Sequence, residues 1–338
     1  MDRLKIAIWQ PAAARRKFQL DASLDDLGRH HAVWLNPREE SDPTLAEMTP
    51  VLGEIDAIVA GWGGGTVPPA LYAAAPNLRL AALIGSSVKP VSPHSAWAHG
   101  ITITNTARAI AEGVAEYVLG AMLLWLHKYD HYDQRMKRGE PWAVVKNAYR
   151  QRSLSDLTVG LLGCGLVGGI VGAHLRALGA EVAVFDPYAS KEMLAQRGFE
   201  HVATLEHLMH RSDIVSLHVG ATAQTNRMIG APELAWMRDG SLLVNSARGA
   251  VLDETALLQE LRRGRIDAFL DVFEEEPLPE SHPFRGLPNV HLAPHAAASS
   301  NLTVLRRAGE HICANLRRLA SGEPLADVVT PEMFDRMT

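Results

Sequence analysis

A glycine-rich run between an apolar strand pattern and a helical pattern constrains this chain most. The strand pattern Thr158–Leu162 runs directly into Gly163-Cys164-Gly165-Leu166-Val167-Gly168, where the helical pattern begins. In such a unit the first glycine makes the tight turn, the second lets phosphates approach the backbone, and the third lets helix and strand pack closely. The unpaired N–H groups at the helix N-terminus attract anions. The run therefore predicts a dinucleotide-binding strand–turn–helix unit.

An acidic residue follows at the spacing that such a unit requires. Asp186 lies 18 residues beyond Gly168, close to the usual spacing of about 20. A carboxylate there accepts hydrogen bonds from the adenosine ribose hydroxyls and repels a 2′-phosphate. Its neighbours Pro187 and Tyr188 add no positive charge. The sequence thus favours NAD over NADP, while a simple strand-end cap remains the alternative role of Asp186.

Short apolar runs alternate with helical patterns along the chain, which is typical of parallel sheets with helices on both faces. In the first part, the predicted strands are Leu4–Trp9, Ile55–Ala60, Leu80–Ile84 and Ile101–Asn105. In the second part, they are Val159–Leu162, Glu181–Phe185, Ile214–His218, Ser241–Asn245, Ala268–Val272 and Val290–Ala293. A chain of 338 residues suggests about two domains. We therefore predict an α/β protein with two doubly wound (Rossmann/flavodoxin-like) parallel-sheet domains and a cleft between them.

The cofactor signal divides these domains by role. Residues 106–299 are predicted to form the NAD-binding Rossmann domain. Residues 1–105 and 300–338 are predicted to form a discontinuous substrate (lid) domain. Between the two parts, apolar residues recur at helical spacing from Ala109 to Met136. This long helix is expected to bridge the domains, to pack against a second subunit, or to lie in the core.

Composition excludes several classes of protein. The mixture of 47% apolar and 21% charged residues fits a soluble globular protein, and the net charge of −5 argues against a general nucleic-acid surface. Cys164 and Cys313 are too few for a disulfide framework, so a reducing compartment is expected. The apolar stretch Val118–Leu126 is too short for a membrane span, and the N-terminus lacks a signal-peptide pattern. A cytoplasmic location follows as an expectation. No His/Cys cluster has metal-ligand spacing, so no metal is predicted.

Three polar residues follow three successive predicted strands of the second part. Arg248, Glu276 and His295 come after the strands that end near Asn245, Val272 and Ala293. In a parallel sheet the carboxyl ends of the strands share one edge, where ligands bind. An arginine grips a carboxylate through two parallel hydrogen bonds, and a histidine exchanges a proton with an alkoxide. A neighbouring glutamate orients the ring and stabilises its protonated form. The set predicts hydride transfer between NAD(H) and a small anionic 2-hydroxy or 2-oxo acid.

With these motifs in place, the chain resembles the D-isomer-specific 2-hydroxyacid dehydrogenase family over nearly its whole length. The matching stretches are Ile101–Asn105, Ala115-Glu116, Val159–Asp186, Asp213–Val219, Leu243–Gly249, Asp253-Glu254, Leu270–Pro277 and Pro294-His295. The resemblance implies Arg248 as a substrate-binding and catalytic residue, His295 as the acid/base and Glu276 as its partner. It also implies a homodimer and a contact of Asp271 with the nicotinamide amide. The cofactor-binding set is then Gly163, Gly165, Leu166, Val167, Gly168, Asp186, Val219, Thr225, Ala247, Asp271 and His295.

Departures from the family pattern concern the substrate. Ala296–Ser300 replaces the usual residues after the histidine, and Gly220-Ala221 stands where Pro-Leu is common. The loop Gly85–Pro90 also differs, and its residues Ser87, Val88 and Lys89 are assigned with Arg248 to substrate binding. A second cation, Lys89, would suit phosphite or a phosphonate-bearing acid. Two alternatives therefore stay open: oxidation of such a phosphorus substrate, and a non-catalytic, NAD-sensing protein that resembles the corepressors of this fold.

Overall fold

A computed structural model of the chain describes residues 3–336. The chain divides into two compact units, the first comprising Met1–Ala111 with Ala298–Thr338 and the second comprising Glu112–Ala297. We call them unit 1 and unit 2.

Among the described residues, strands and helices alternate along most of both units, but the first two helices, and later the sixth to the eighth, follow one another. The strands are β1 Lys5–Ile8, β2 Ala32–Leu35, β3 Ala57–Gly61, β4 Leu80–Ile84, β5 Thr102–Asn105, β6 Thr158–Leu162, β7 Glu181–Phe185, β8 Glu200–His201, β9 Ile214–Leu217, β10 Leu242–Asn245, β11 Asp267–Leu270, β12 Val290–Leu292 and β13 Val328–Val329. The helices are α1 Ala12–Lys17, α2 Asp21–Gly28, α3 Leu45–Leu52, α4 Pro69–Ala74, α5 Pro93–Ala98, α6 Ala107–His127, α7 Tyr129–Lys137, α8 Trp142–Lys146, α9 Leu166–Ala177, α10 Lys191–Gln196, α11 Leu205–Arg211, α12 Ala231–Trp236, α13 Glu254–Arg262, α14 Leu302–Ser321 and α15 Pro331–Phe334.

Each unit is built on one sheet. In unit 1 the strand order is β13-β5-β4-β3-β1-β2, parallel except for β13, which pairs antiparallel with β5. In unit 2 the order is β12-β11-β10-β9-β6-β7-β8, and all pairs are parallel. The chain leaves β6 first toward β7 and later returns on the other side at β9. This reversal of strand order is the point at which open α/β sheets bind their ligands.

Both sheets bury apolar side chains on both faces. In unit 2, Leu161 of β6 points into a core that contains α6 and α9, whereas its neighbour Leu162 points into a core that contains α11–α13. In unit 1, Ile6 and Ala7 of β1 likewise belong to opposite cores. Alternate residues of a strand face opposite sides, so sheets covered on both faces need continuous apolar strands. The predicted pair of doubly wound folds is confirmed, and the predicted cleft remains a prediction.

The prediction of one long helix over Ala109–Met136 is wrong in one respect, because the structure has two helices there. Helix α6 ends at His127, Lys128 adopts a left-handed conformation with φ 53°, and α7 begins at Tyr129. The spacing of apolar residues indicates which face of a helix is buried. It does not indicate where a single residue with left-handed backbone dihedrals interrupts the helix. Length and hydropathy alone would let α6 cross a membrane, yet half of its most apolar window is buried inside the protein.

The packing of unit 2 makes a stability prediction. Leu161 is fully buried, whereas Leu178 is 48% exposed. Because a buried cavity is costly, Leu161→Ala should lower the free energy of unfolding by about 2–5 kcal/mol. Leu178→Ala should change it by at most about 0.5 kcal/mol. Urea denaturation of both variants checks this, and equal effects would contradict the assignment of Leu161 to the core.

Candidate active site

In the glycine turn after β6, steric contacts require a glycine at two of the three positions. Gly163 has φ 93°, and a Cβ atom there would lie 2.8 Å from the carbonyl oxygen of His218. At Gly168 a Cβ atom would lie 2.4 Å from the carbonyl oxygen of Gly163. At Gly165, by contrast, it would meet nothing within 4 Å. The missing side chain of Gly165 therefore leaves open space at the N-terminus of α9, as a bound pyrophosphate requires.

Asp186 is fixed against the same turn. One carboxylate oxygen accepts the backbone N–H of Cys164 at 2.8 Å, and the other accepts that of Tyr188 at 2.8 Å. A carboxylate oxygen has two lone pairs, so both oxygens can also accept from ribose hydroxyls. Exposed Leu166 and half-buried Val167 form the first turn of α9. These residues fit the adenosine and pyrophosphate parts of NAD.

His218 lies under the glycine turn, and sequence reasoning did not assign it a role. Its carbonyl oxygen faces Gly163, its Cβ atom faces Gly168, and its Nε2 atom lies 3.0 Å from the hydroxyl of Ser216. Burial lowers the pKa of His218 from 6.5 to about 4. The side chain is therefore neutral at pH 7, and it supports the turn without adding charge to it.

The residues after β9 border the turn as well. A Cβ atom on Gly163 would lie 2.9 Å from the Cγ1 atom of Val219, which places Val219 beside the turn. The hydroxyl of Thr225 donates to the carbonyl oxygen of Gly220 at 2.5 Å and accepts the N–H of Thr222 at 2.8 Å. Thr225 thus closes a compact loop next to the predicted cofactor site.

Asn245 at the end of β10 shapes the loop that carries Arg248. Its side-chain oxygen accepts the N–H of Ala247 at 3.1 Å, and its amide nitrogen donates to the carbonyl oxygen of Arg248 at 3.0 Å. The Arg248 guanidinium donates in turn to the carbonyl oxygen of Ala247 at 2.6 Å. Burial lowers the pKa of Arg248, and the charge of Glu276 opposes that shift. Arg248 is therefore a largely desolvated cation beside a carboxylate.

Gly249 brings this loop against the next one. A Cβ atom on Gly249 would lie 2.0 Å from the carbonyl carbon and oxygen of Phe273, and 2.5 Å from the backbone nitrogen of Glu274. Only a glycine allows the backbones after β10 and β11 to approach this closely. The contact fixes the spacing between the segments that carry Arg248 and Glu276.

His295 and Glu276 form the predicted pair. The Nδ1 atom of His295 lies 2.8 Å from a carboxylate oxygen of Glu276, and the other oxygen of Glu276 accepts the N–H of Phe273 at 3.0 Å. The side chains are 50% and 36% exposed, respectively. A pocket of about 570 Å³ opens beside them and is lined also by Leu278 and Arg285. The pair is thus ordered yet reachable by a small molecule.

Asp271 holds the segment around His295. Its buried carboxylate accepts hydrogen bonds from the backbone N–H groups of Ala296 at 2.8 Å and Ala297 at 3.2 Å. Its backbone carbonyl oxygen accepts a hydrogen bond from the N–H group of His295 at 2.8 Å. Burial raises the pKa of Asp271, and the two backbone hydrogen bonds oppose this. The implied contact with nicotinamide remains a prediction, but the structure adds a positioning role, since His295 itself has φ 53°.

Unit 2 therefore brings Arg248, Glu276 and His295 to one edge of its sheet, together with the glycine turn. The predicted substrate loop lies in unit 1. There Val88 is buried, Lys89 is exposed, and the N–H of Lys89 donates to the hydroxyl of Ser87 at 3.4 Å. Sequence reasoning missed Asn245, Gly249 and the anchoring role of Asp271. Only Asn245 had a signal, since asparagine at the start of a turn often bonds to the backbone that follows.

Comparison with known proteins points in one direction. The family model described as the NAD binding domain of D-isomer specific 2-hydroxyacid dehydrogenases matches residues 119–297. A glyoxylate reductase from Korarchaeum cryptofilum is 31% identical over 299 residues, which cover 88% of this chain and 89% of that protein. A D-3-phosphoglycerate dehydrogenase from Methanocaldococcus jannaschii is 32% identical over 287 residues, which cover 85% of this chain and 54% of the relative. The chain thus spans about half of that second relative.

A solved structure agrees with the sequence comparison. The 2-hydroxyacid dehydrogenase from Ketogulonicigenium vulgare Y25 has a TM-score of 0.80 and 26% identity, with 98% of this chain and 99% of that chain covered. The solved structure and the family model therefore both indicate a 2-hydroxyacid dehydrogenase.

The contact at Gly249 predicts a catalytic defect. Gly249→Ala should push the Arg248 loop away from Phe273, and a displacement near 1 Å at an active site lowers turnover by about 100-fold. NADH binding, measured by fluorescence titration, should change little because the glycine turn is untouched. Gly286→Ala is the control, since a Cβ atom there meets nothing within 4 Å. Wild-type turnover in Gly249→Ala would show that the two loops need not touch.

His218 predicts a pH dependence of stability. The unfolded chain takes up a proton at His218 near pH 6.5 and the folded chain only near pH 4. Between these pH values the unfolded state binds more protons than the folded state. The contribution of His218 to stability is therefore fully present above pH 6.5 and is lost as the pH falls toward 4. Over this window, wild type should lose about 2 kcal/mol more than His218→Gln. Urea denaturation across the window checks this, and parallel curves would rule out the assignment.

Proposed function

This chain belongs to the D-isomer-specific 2-hydroxyacid dehydrogenase family, and we propose that it interconverts a small 2-oxo acid and its 2-hydroxy acid with His295, Glu276 and Arg248 as catalytic residues. The family's NAD-binding domain model matches unit 2 almost throughout. The observation that carries the residue assignment is the 2.8 Å contact between His295 and Glu276 beside the Arg248 loop. A carboxylate bound to Nδ1 directs the other ring nitrogen, Nε2, toward the reacting oxygen.

Arg248 binds the substrate carboxylate in this proposal. Its guanidinium offers two parallel donors to a carboxylate, and burial strengthens that attraction because little water screens it. The same cation stabilises negative charge that develops on the adjacent carbonyl oxygen. Glu276 limits the cost of keeping Arg248 charged, since its negative charge raises the pKa of the buried guanidinium.

His295 moves the proton. Bound NADH supplies the hydride that becomes the new C–H bond at the carbonyl carbon. As the carbonyl oxygen gains negative charge, the protonated His295 donates from Nε2 and forms the hydroxyl group. In the reverse direction neutral His295 accepts that proton, and Glu276 stabilises the resulting imidazolium.

Asp186 makes NAD the better cofactor. Its carboxylate lies at the glycine turn, held by the N–H groups of Cys164 and Tyr188. A 2′-phosphate would meet that negative charge, whereas ribose hydroxyls would donate to it. Gly163, Val219, Thr225 and Ala247 complete the proposed cofactor site.

Ser87, Val88 and Lys89 of unit 1 stay predicted substrate-binding residues, and since Val88 is fully buried it could contribute only through its backbone. The matching glyoxylate reductase covers most of this chain, which supports a small 2-oxo acid as substrate. Lys89 is exposed, and the relatives reported above are named for 2-hydroxyacid or 2-oxo acid chemistry rather than for phosphite or phosphonate substrates. We therefore place these phosphorus compounds, and non-catalytic NAD sensing, second.

We further propose a homodimer in a reducing, cytoplasmic setting. Exposed apolar side chains gather on α7 and α8, where Tyr129 is 61%, Met136 41% and Trp142 70% exposed. Exposed apolar surface of this kind is typical of protein interfaces. Cys164 and Cys313 are free and buried, which suits a compartment without disulfide formation.

Replacement of His295 tests the proposal directly. His295→Gln should lower kcat for NADH-dependent reduction by about 10²–10⁴-fold, because general acid catalysis is lost. Its affinity for NADH should be nearly that of wild type. Steady-state rates with glyoxylate, hydroxypyruvate, pyruvate and bulkier 2-oxo acids, with a phosphonate and phosphite alongside, check this.

His207→Gln is the matched control, since that histidine is exposed and lies on α11 of the same unit. Wild-type rates in His295→Gln would overturn the acid/base assignment. Tight NADH binding with no turnover on any 2-oxo acid would instead support the sensing alternative.

A further inference from the structure

Asp130, His131 and His291 lie together in unit 2, where the start of α7 meets the edge strand β12. We propose that these three side chains form a binding site for a divalent transition metal ion of the Zn²⁺ class. The sequence predicted no metal because His131 and His291 are 160 residues apart. The fold brings them together, and the proposal is independent of the function proposed above.

The ligand atoms are close to metal-binding distances. One atom from each residue lies within 4.8 Å of the other two. The Nδ1 atom of His291 and a carboxylate oxygen of Asp130 are 3.5 Å apart. Two ligands about 2.0–2.1 Å from a tetrahedral zinc ion are about 3.3 Å apart. One pair therefore already has the required spacing, and small side-chain rotations of His131 would complete the set.

A second observation that points to a bound ion is an unsatisfied carboxylate oxygen of Asp130. Its Oδ1 atom is buried, and no residue of the described range 3–336 donates a hydrogen bond to it. A buried carboxylate oxygen without a donor costs free energy. The Asp130–His291 contact uses Oδ2, so a metal ion bound by both carboxylate oxygens would give Oδ1 a partner as well.

The local backbone holds the three residues in place. Left-handed Lys128 ends α6 and redirects the chain, so that Asp130 and His131 fall in the first turn of α7. His291 pairs with Phe269 in the sheet, and its ring stacks on that side chain. The sheet and the helix turn thus fix two sides of the site independently.

The nearby cation Lys128 is balanced by another group. Its Nζ atom lies 3.3 Å from Asp267 and 4.9 Å from the ring centre of Trp125. The same carboxylate accepts from the Trp125 indole at 2.6 Å. Lys128 is therefore engaged outside the three-residue cluster, and its charge is offset close by.

The donor set selects the ion. Two imidazoles and one carboxylate suit Zn²⁺, Co²⁺ or Ni²⁺ better than the oxygen-preferring Mg²⁺ and Ca²⁺. Three protein ligands leave a coordination position for water. Because the site joins α7 to β12, a bound ion would stabilise that junction in unit 2.

Cobalt titration tests the site. The full-length protein is first dialysed against a chelator, then titrated with Co²⁺ while visible absorbance is recorded, and Zn²⁺ is added in competition. We expect one Co²⁺ per chain, displaced by Zn²⁺. Loss of an outer-shell partner already weakens metal sites by about 10–100-fold, so loss of a ligand in Asp130→Asn, His131→Gln or His291→Gln should weaken binding at least tenfold.

His174→Gln is the control, since that exposed histidine lies on α9 of the same unit. Circular dichroism and NADH binding report whether each variant is folded. If His291→Gln unfolds, Asp130→Asn and His131→Gln decide the question. The absence of stoichiometric Co²⁺ binding in wild type, or wild-type affinity in His131→Gln, would overturn the proposal regardless of dehydrogenase activity.

Discussion

The proposed chemistry depends on one buried carboxylate at the edge of the unit 2 sheet. The carboxylate of Asp271 accepts hydrogen bonds from the backbone N–H groups of Ala296 and Ala297. The backbone carbonyl oxygen of Asp271 accepts a hydrogen bond from the N–H group of His295. A buried carboxylate is tolerated only when it is hydrogen-bonded. These bonds secure the segment in which His295 has a left-handed backbone and faces Glu276.

In the proposed function, the same edge joins cofactor binding to catalysis. The strand order of unit 2 reverses between β6 and β9, and the glycine turn follows β6 at that point. The Arg248 loop, Glu276 and His295 follow β10, β11 and β12 in turn. Parallel strands end on one edge, so residues far apart in sequence gather beside the predicted dinucleotide. The close approach of Gly249 to Phe273 then sets the spacing between the loops that carry Arg248 and Glu276.

Local patterns in the sequence were enough to predict the cofactor-binding unit and most of the candidate site residues. The strand, glycine turn, helix and Asp186 lie within one short stretch. Arg248 and His295 could be found because each lies three residues after the end of a strand. Other features depend on contacts between distant segments. The burial of His218 under the turn, the contact of Gly249 with Phe273, and the reversal at Lys128 leave no local signature. The cluster of Asp130, His131 and His291 likewise exists only once β12 meets α7.

The central claim is that Arg248 and His295 act on the same substrate beside the nicotinamide of NAD. A crystal structure with NAD and oxamate, an unreactive analogue of a small 2-oxo acid, tests it most directly. The account predicts that the oxamate carboxylate pairs with the Arg248 guanidinium. It also predicts that the oxamate carbonyl oxygen lies within about 2.6–3.2 Å of the Nε2 atom of His295. Oxamate held by another cation, with His295 Nε2 beyond hydrogen-bond reach, would contradict the account.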